Sequence, residues 1–176
     1  MKPYGQGYLD SLCGIYGIIN ATRIISNKMH IDESVKLFKA CMKHVENRKS
    51  LVKICTIGVD TNDMKSILKN IVSVKCDINV KKPFRKKDEI TVSDFCKEIR
   101  RYFDQGGNRS VIISIECDDW EHWTVIKYLS TKKMVLFDSA LLKTIAISKC
   151  TFKKKTKRKP YLITPHETFF LYRREN

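Results

Sequence analysis

Hydrophobic positions recur at helical spacing through about the first 105 residues and at a period of two through most of the remaining chain. Ile15, Ile18, Ile19, Thr22 and Ile25 repeat every three or four residues, which predicts a helix over 13–26. Gly14 and Gly17 are costly inside a helix, so their presence predicts close backbone packing there. A second helix is expected after Asp32 as its N-cap, with Val35, Phe38, Met42 and Val45 as the buried stripe. A third follows Asp60 or Thr61 and carries Met64, Ile67, Leu68 and Ile71 on one face. Val74, Cys76, Ile78 and Val80 alternate, as in a half-buried strand over 73–80. Ser93 is expected to cap a fourth helix bearing Phe95, Cys96, Ile99, Tyr102 and Phe103, ended by Gly106 and Gly107.

Beyond residue 110 the alternation predicts strands over 110–117, 123–129, 134–138, 142–147 and 168–173, with a turn at 130–133. Helices first and strands afterwards make an α+β protein, with N-terminal helices packed on a C-terminal antiparallel sheet. At 176 residues the chain fits one domain, 1–176, with a helical part over about 1–105 and a β part over about 110–176. Neither part alone can hide its apolar faces.

Composition narrows the class of protein. The chain is 43% hydrophobic and 30% charged, which suits a soluble globular protein and not a fibrous or disordered one. No apolar run reaches the roughly 20 residues a bilayer-spanning helix needs, and residues 1–6 lack the core of a secretory leader. The expectation is a protein with no membrane partner, cytoplasmic or delivered as an effector by a specialised route. Seven scattered cysteines without a C-x-x-C pair suggest a reducing compartment, most of them acting as core filler. The formal net charge is +15, concentrated in two basic stretches at 81–87 and 153–159. Such a charge draws polyanions or an acidic protein partner, although blocks of like charge are more often solvated loops.

Cys13 differs from the other thiols in opening an apolar helix, where the positive end of the helix dipole favours the thiolate. A histidine partner is then required. His122 lies where the polar turn Asp118-Asp119-Trp120-Glu121 enters an apolar strand, a rigid position at the mouth of a cleft. The next strand ends in Asp138. A hairpin centred near residue 130 puts Asp138 opposite His122, within reach to fix the imidazole tautomer.

The order of a glutamine, a Cys-Gly opening a helix, a His-Trp opening a strand and an aspartate ending the next resembles the papain-like cysteine peptidase superfamily, particularly its bacterial C39-like branch. The likeness covers about 1–28 and 110–140. It implies a papain-like fold and a Cys13-His122-Asp138 triad that cleaves an amide or isopeptide bond of a protein or peptide substrate, an acidic one being one option, with no cofactor and no metal. It further implies that Gln6 and the Cys13 backbone N–H form the oxyanion hole. Gln6 stands seven positions before Cys13, one more than is usual in that family, and Ile15-Tyr16 occupies positions where the bacterial branch often has proline and a small residue.

Other readings stand beside this one. A papain-fold glutamine deamidase or acyl transferase would use the same residues on a protein. A nucleic-acid-binding module would use the basic stretches at 81–87 and 153–159 against phosphates. Asp10, three positions before Cys13, resembles the aspartate spacing of ovarian-tumour-type deubiquitinases. Cys41 and His44 mimic half a zinc site without a second ligand pair. His166 reads as a loop residue, and no phosphate-binding glycine loop or G-x-S-x-G elbow occurs.

Overall fold

The α1 helix forms where the isoleucine spacing places it, Cys13–Ser26, and its stripe is fully buried. This is a computed structural model, and it describes residues 1–27, 29–84, 90–118 and 120–173. Among the described residues five more α-helices are present: α2 (Ile31–Glu46), α3 (Leu51–Ile57), α4 (Thr61–Ile67), α5 (Ser73–Cys76) and α6 (Val92–Asp104). A π-helical turn, Leu68–Val72, joins α4 to α5 without a break. The eight strands are β1 (Asn79–Lys81), β2 (Arg109–Cys117), β3 (Trp120–Leu129), β4 (Lys133–Leu136), β5 (Thr144–Ala146), β6 (Cys150–Thr151), β7 (Tyr161–Ile163) and β8 (Phe169–Tyr172).

The architecture is α+β. The sheet runs β1-β8-β2-β3-β4-β5, antiparallel at each step, while β7 extends beyond β8 along β2 and pairs in parallel with β6. The sheet is covered on both faces. Ile112, Trp123, Val125, Phe169 and Leu171 pack with α1, α2 and α4, whereas Val111, Ile113, Ile115, Ile126 and Phe170 pack with Phe95, Ile99 and Tyr102 of α6. Period-two alternation along β2 and β8 is what feeds two cores at once. Among the described residues no helix is long and apolar enough to cross a membrane.

Four local expectations change. His30 precedes α2 as the N-cap, with Glu33 accepting from its backbone N–H at 2.8 Å, and Val35 turns outward while Leu37, Cys41 and Val45 are buried. Thr91 caps α6 in place of Ser93. The first half of the strand expected over 73–80 is helical, because the π turn carries the helix on to Cys76 and Asp77 ends it at φ 52°. Val74 is consequently exposed, and only 79–81 pair as a strand. Three elements were not expected from the sequence: α3, which Ser50 caps, and the short β6 and β7.

Candidate active site

The segment before Cys13 is tied down at several points. Asp10 accepts from the Gly7 N–H at 2.7 Å with one carboxylate oxygen and from the Leu12 N–H at 3.1 Å with the other, closing a loop that ends at Cys13. Ser11 donates its backbone N–H to the Cys55 carbonyl at 2.7 Å and its hydroxyl to the Thr56 carbonyl at 3.0 Å, docking that loop on the end of α3. Gly58, at φ 88°, fits under the Ser11 carbonyl, which would lie 2.5 Å from any Cβ. Gly14 permits a similarly close approach: a Cβ there would stand 2.3 Å from Val59 and 3.2 Å from the Trp123 ring. The packing role expected of this glycine is therefore fulfilled.

Trp123 locks the other side of the site. Its indole N–H donates to the Val59 carbonyl at 3.1 Å, and its backbone N–H reaches the Cys13 sulfur at 3.5 Å. His122, one residue earlier on β3, is 5% exposed. Its Nε2 lies 2.6 Å from Asp138 Oδ1, which leaves Nδ1 as the ring nitrogen not engaged by the carboxylate, and Cys13 lines the same cleft. Burial alone would push the imidazole down. The Asp138 hydrogen bond and the Cys13 sulfur outweigh burial, so the His122 pKa is pushed up to about 9. Burial likewise favours protonation of Asp138, but the His122 hydrogen bond and charge hold its carboxyl below the usual range.

The other Asp138 oxygen accepts from the Ala140 N–H at 2.8 Å and the Leu142 N–H at 3.0 Å. One carboxylate thus orients the imidazole and also shapes the 139–142 turn. The hairpin register differs from the expected mirror about residue 130. Leu129 pairs with Met134, a bulge interrupts the pairing, and Phe137 donates to the Val125 carbonyl, so Asp138 meets His122 diagonally.

Gln6 stands at the same cleft. Its backbone N–H donates to the Ser139 carbonyl at 3.1 Å, its Oε1 accepts from the Ser139 hydroxyl at 3.2 Å, and its Nε2 makes only a long 3.4 Å contact to the Asp10 carbonyl. Asn20 pins the preceding chain through both main-chain groups of Tyr4. The cleft, about 710 Å³, holds Gln6, Cys13 and His122 together and is rimmed by the exposed apolar side chains Ile57, Trp120 and Leu141. Trp120 meets the His122 ring edge to face, with centroids 5.6 Å apart. Trp120 and Ser139 were not expected at the site, although a tryptophan at an exposed strand start, two residues from a histidine, was a signal open to use.

The remaining sequence candidates lie elsewhere. Burial pushes the Cys41 thiol up to about 12, and His44 Nε2 meets the Ser66 hydroxyl at 2.8 Å. Among the described residues no group of three or more His, Cys, Asp or Glu side chains is arranged to hold a metal. His166 sits exposed in a single 3-10 turn, Pro165–Glu167. Lys155, from the 153–159 stretch, is fixed to Glu116 at 2.5 Å and to the Asp118 carbonyl at 2.9 Å. Residues 85–87 of the other basic stretch lie outside the described residues. All seven cysteines are free.

An imidazole held between a sulfur and a buried carboxylate can take the proton of the thiol and return it elsewhere. A nearby amide side chain can donate to an oxyanion. No protein-family model matches the chain, and no curated protein matches it.

Proposed function

We propose that this chain is a papain-like cysteine hydrolase, a peptidase acting on an amide or isopeptide bond of a protein or peptide. The observation that carries the reading is that His122, bonded through Nε2 to the buried Asp138 carboxylate, lines the same cleft as Cys13, whose sulfur takes the N–H of the neighbouring Trp123 at 3.5 Å. A cysteine opening a buried helix, packed against a sheet whose strand supplies the histidine, supports assignment to the papain-like class.

In the proposed reaction the proton of the Cys13 thiol already sits on His122 when the sulfur bonds to the substrate carbonyl carbon. The resulting oxyanion is met by the Gln6 Nε2–H, freed from its long contact with Asp10, and by the Cys13 backbone N–H. Collapse breaks the C–N bond, and His122 delivers its proton to the leaving nitrogen. Water, deprotonated by His122, then cleaves the thioester. Asp138 keeps the tautomer correct and stabilises the imidazolium throughout.

Labelling with a thiol-directed electrophile, followed by peptide mapping, tests this reading across all seven thiols. Modification is expected to be fastest at Cys13 and to fall sharply in His122→Ala. Uniform labelling of the accessible cysteines, indifferent to His122, would overturn the proposal. Intact-mass spectrometry of acylated or cleaved products separates hydrolysis of a peptide bond from deamidation, which adds about one dalton because the same acyl-enzyme loses ammonia instead of a peptide.

A further inference from the structure

A groove of about 560 Å³ lies at the β1 edge of the sheet and shares no lining residue with the Cys13 cleft. One wall is the stretch from α4 to α5, which contributes Lys65 and Lys69. The opposite wall is the edge strand and its continuation, with Lys81 and Lys82, and α6 closes the end with Tyr102 and Gln105. We propose that this groove is a second binding site, specific for a compact polyphosphate anion, and that it acts independently of the chemistry at Cys13.

Charge is the first observation. Lys65, Lys69 and Lys81 line one concavity, and among the described residues none of the three has a carboxylate within ion-pair distance. Glu98 is the single carboxylate in the lining among the described residues, and both its oxygens are held by Arg101 at 3.1 Å. Ammonium groups that line one groove repel one another, and a bound anion removes that cost.

Placement is the second. Lys82 Nζ sits 5.0 Å from the ring centroid of Phe169, a lining residue, and Lys81 Nζ sits 5.0 Å from that of Tyr172, so each ammonium is held near the β1 edge by a cation–π contact. Lys69 rides on the π-helical turn, an uncommon geometry that costs helix regularity and concentrates at functional sites. The floor beneath is Phe169 and Phe170, both almost fully buried, so the groove offers cations at its walls and no exposed ring for a base to stack on. Its volume falls within the roughly 300–1,000 Å³ of small-molecule sites. Several phosphates in a short span answer three lysine amines better than one carboxylate or an extended strand would.

Calorimetric titration with inorganic tripolyphosphate tests the proposal. The wild-type chain should bind one equivalent, saturating below ~1 mM. The triple variant Lys65→Ala, Lys69→Ala, Lys81→Ala should lose about tenfold or more in affinity, since charge-assisted hydrogen bonds disappear. The control triple Lys153→Ala, Lys154→Ala, Lys157→Ala removes the same charge elsewhere and should stay within about twofold. Circular dichroism checks that each variant is folded, and Lys69→Ala alone, on an exposed position, gives a smaller loss if the triple variant is not. Equal weakening by both triple variants, or no saturable 1:1 binding, would overturn the site. Displacement of tripolyphosphate by oligothymidylate at lower phosphate concentration would overturn its assignment to a compact anion.

Discussion

Asp138 Oδ1 stands 2.6 Å from His122 Nε2, and both side chains are shut away from solvent, at 2% and 5% exposure. A hydrogen bond between two buried ionisable groups is strong in its effect on both, and here it fixes which imidazole nitrogen is left for Cys13. Asp138→Asn keeps the size of the side chain but offers Nε2 a group that can stabilise the wrong tautomer. Turnover of a peptide substrate should fall by about 10²–10⁴. Alkylation of Cys13 should slow in parallel, and an unchanged alkylation rate would show that Asp138 does not act through His122.

The same contact makes stability depend on pH. His122 has a folded pKa of about 9 against an ordinary value of 6.5, so the folded protein binds a proton that the unfolded chain releases between those values. The contribution is fully present below pH 6.5 and is lost as pH rises through about 9. Melting temperature is expected to decline across that window in the wild type. In Asp138→Asn the decline should be shallower. Activity should fall on the alkaline side over the same range, since a neutral imidazole cannot protonate the leaving nitrogen.

Gln6 is positioned by contacts that leave its donor nearly idle: Ser139 fixes its carbonyl oxygen, while Nε2 holds only a 3.4 Å contact. Gln6→Ala should therefore lower kcat by about 10²–10³, the effect of losing one oxyanion donor. Labelling of Cys13 by a small alkylating agent, which builds no oxyanion, should be retained. If both fall together, the glutamine serves to place the 6–12 loop and not to stabilise charge.

Much of this site is legible in the chain because its parts sit at the ends of strongly periodic elements. Cys13 opens α1 where the isoleucine stripe begins, and His122 and Asp138 occur where apolar strands meet polar turns. Local pattern misleads where tertiary contacts decide. Val74, Cys76, Ile78 and Val80 alternate convincingly, yet the π turn keeps 73–76 helical and leaves Val74 in solvent. Asp77 at φ 52° was the missed signal, since aspartate tolerates the left-handed region that ends a helix. β6 has two residues and takes its register from β7, so no local period could reveal it. The hairpin arithmetic missed the bulge between Ile126 and Tyr128, and a diagonal contact still joined the two residues.

Gly14 tests how tightly the helix that Cys13 opens is seated. An added Cβ would meet Val59 at 2.3 Å, the Met64 sulfur at 3.0 Å and the Trp123 ring at 3.2 Å. Gly14→Ala should cost ~1–3 kcal/mol by overpacking, more than offsetting the gain in helix propensity. Trimming the facing side chain should relieve it. In a double-mutant cycle with Val59→Ala, a favourable coupling of about 1 kcal/mol or more is expected from denaturant melts, whereas additive effects would mean that the helix shifts freely.

Leu141 presents the opposite case, a side chain kept where the backbone resists it. It sits at φ 65°, is 74% exposed and lines the cleft, while Asp138 grips the N–H groups on either side of it. A left-handed leucine costs ~1–2 kcal/mol that glycine avoids, partly offset by the greater freedom glycine gains when unfolded. Leu141→Gly should therefore leave the protein as stable as the wild type or up to about 1 kcal/mol more so. Its effect on catalysis should run the other way: KM for peptides carrying a bulky apolar residue near the scissile bond should rise while kcat holds, because an apolar contact made equally to substrate and transition state is lost. A fall in kcat at constant KM would instead mean that the 139–142 turn, and with it the grip of Asp138 on His122, had moved.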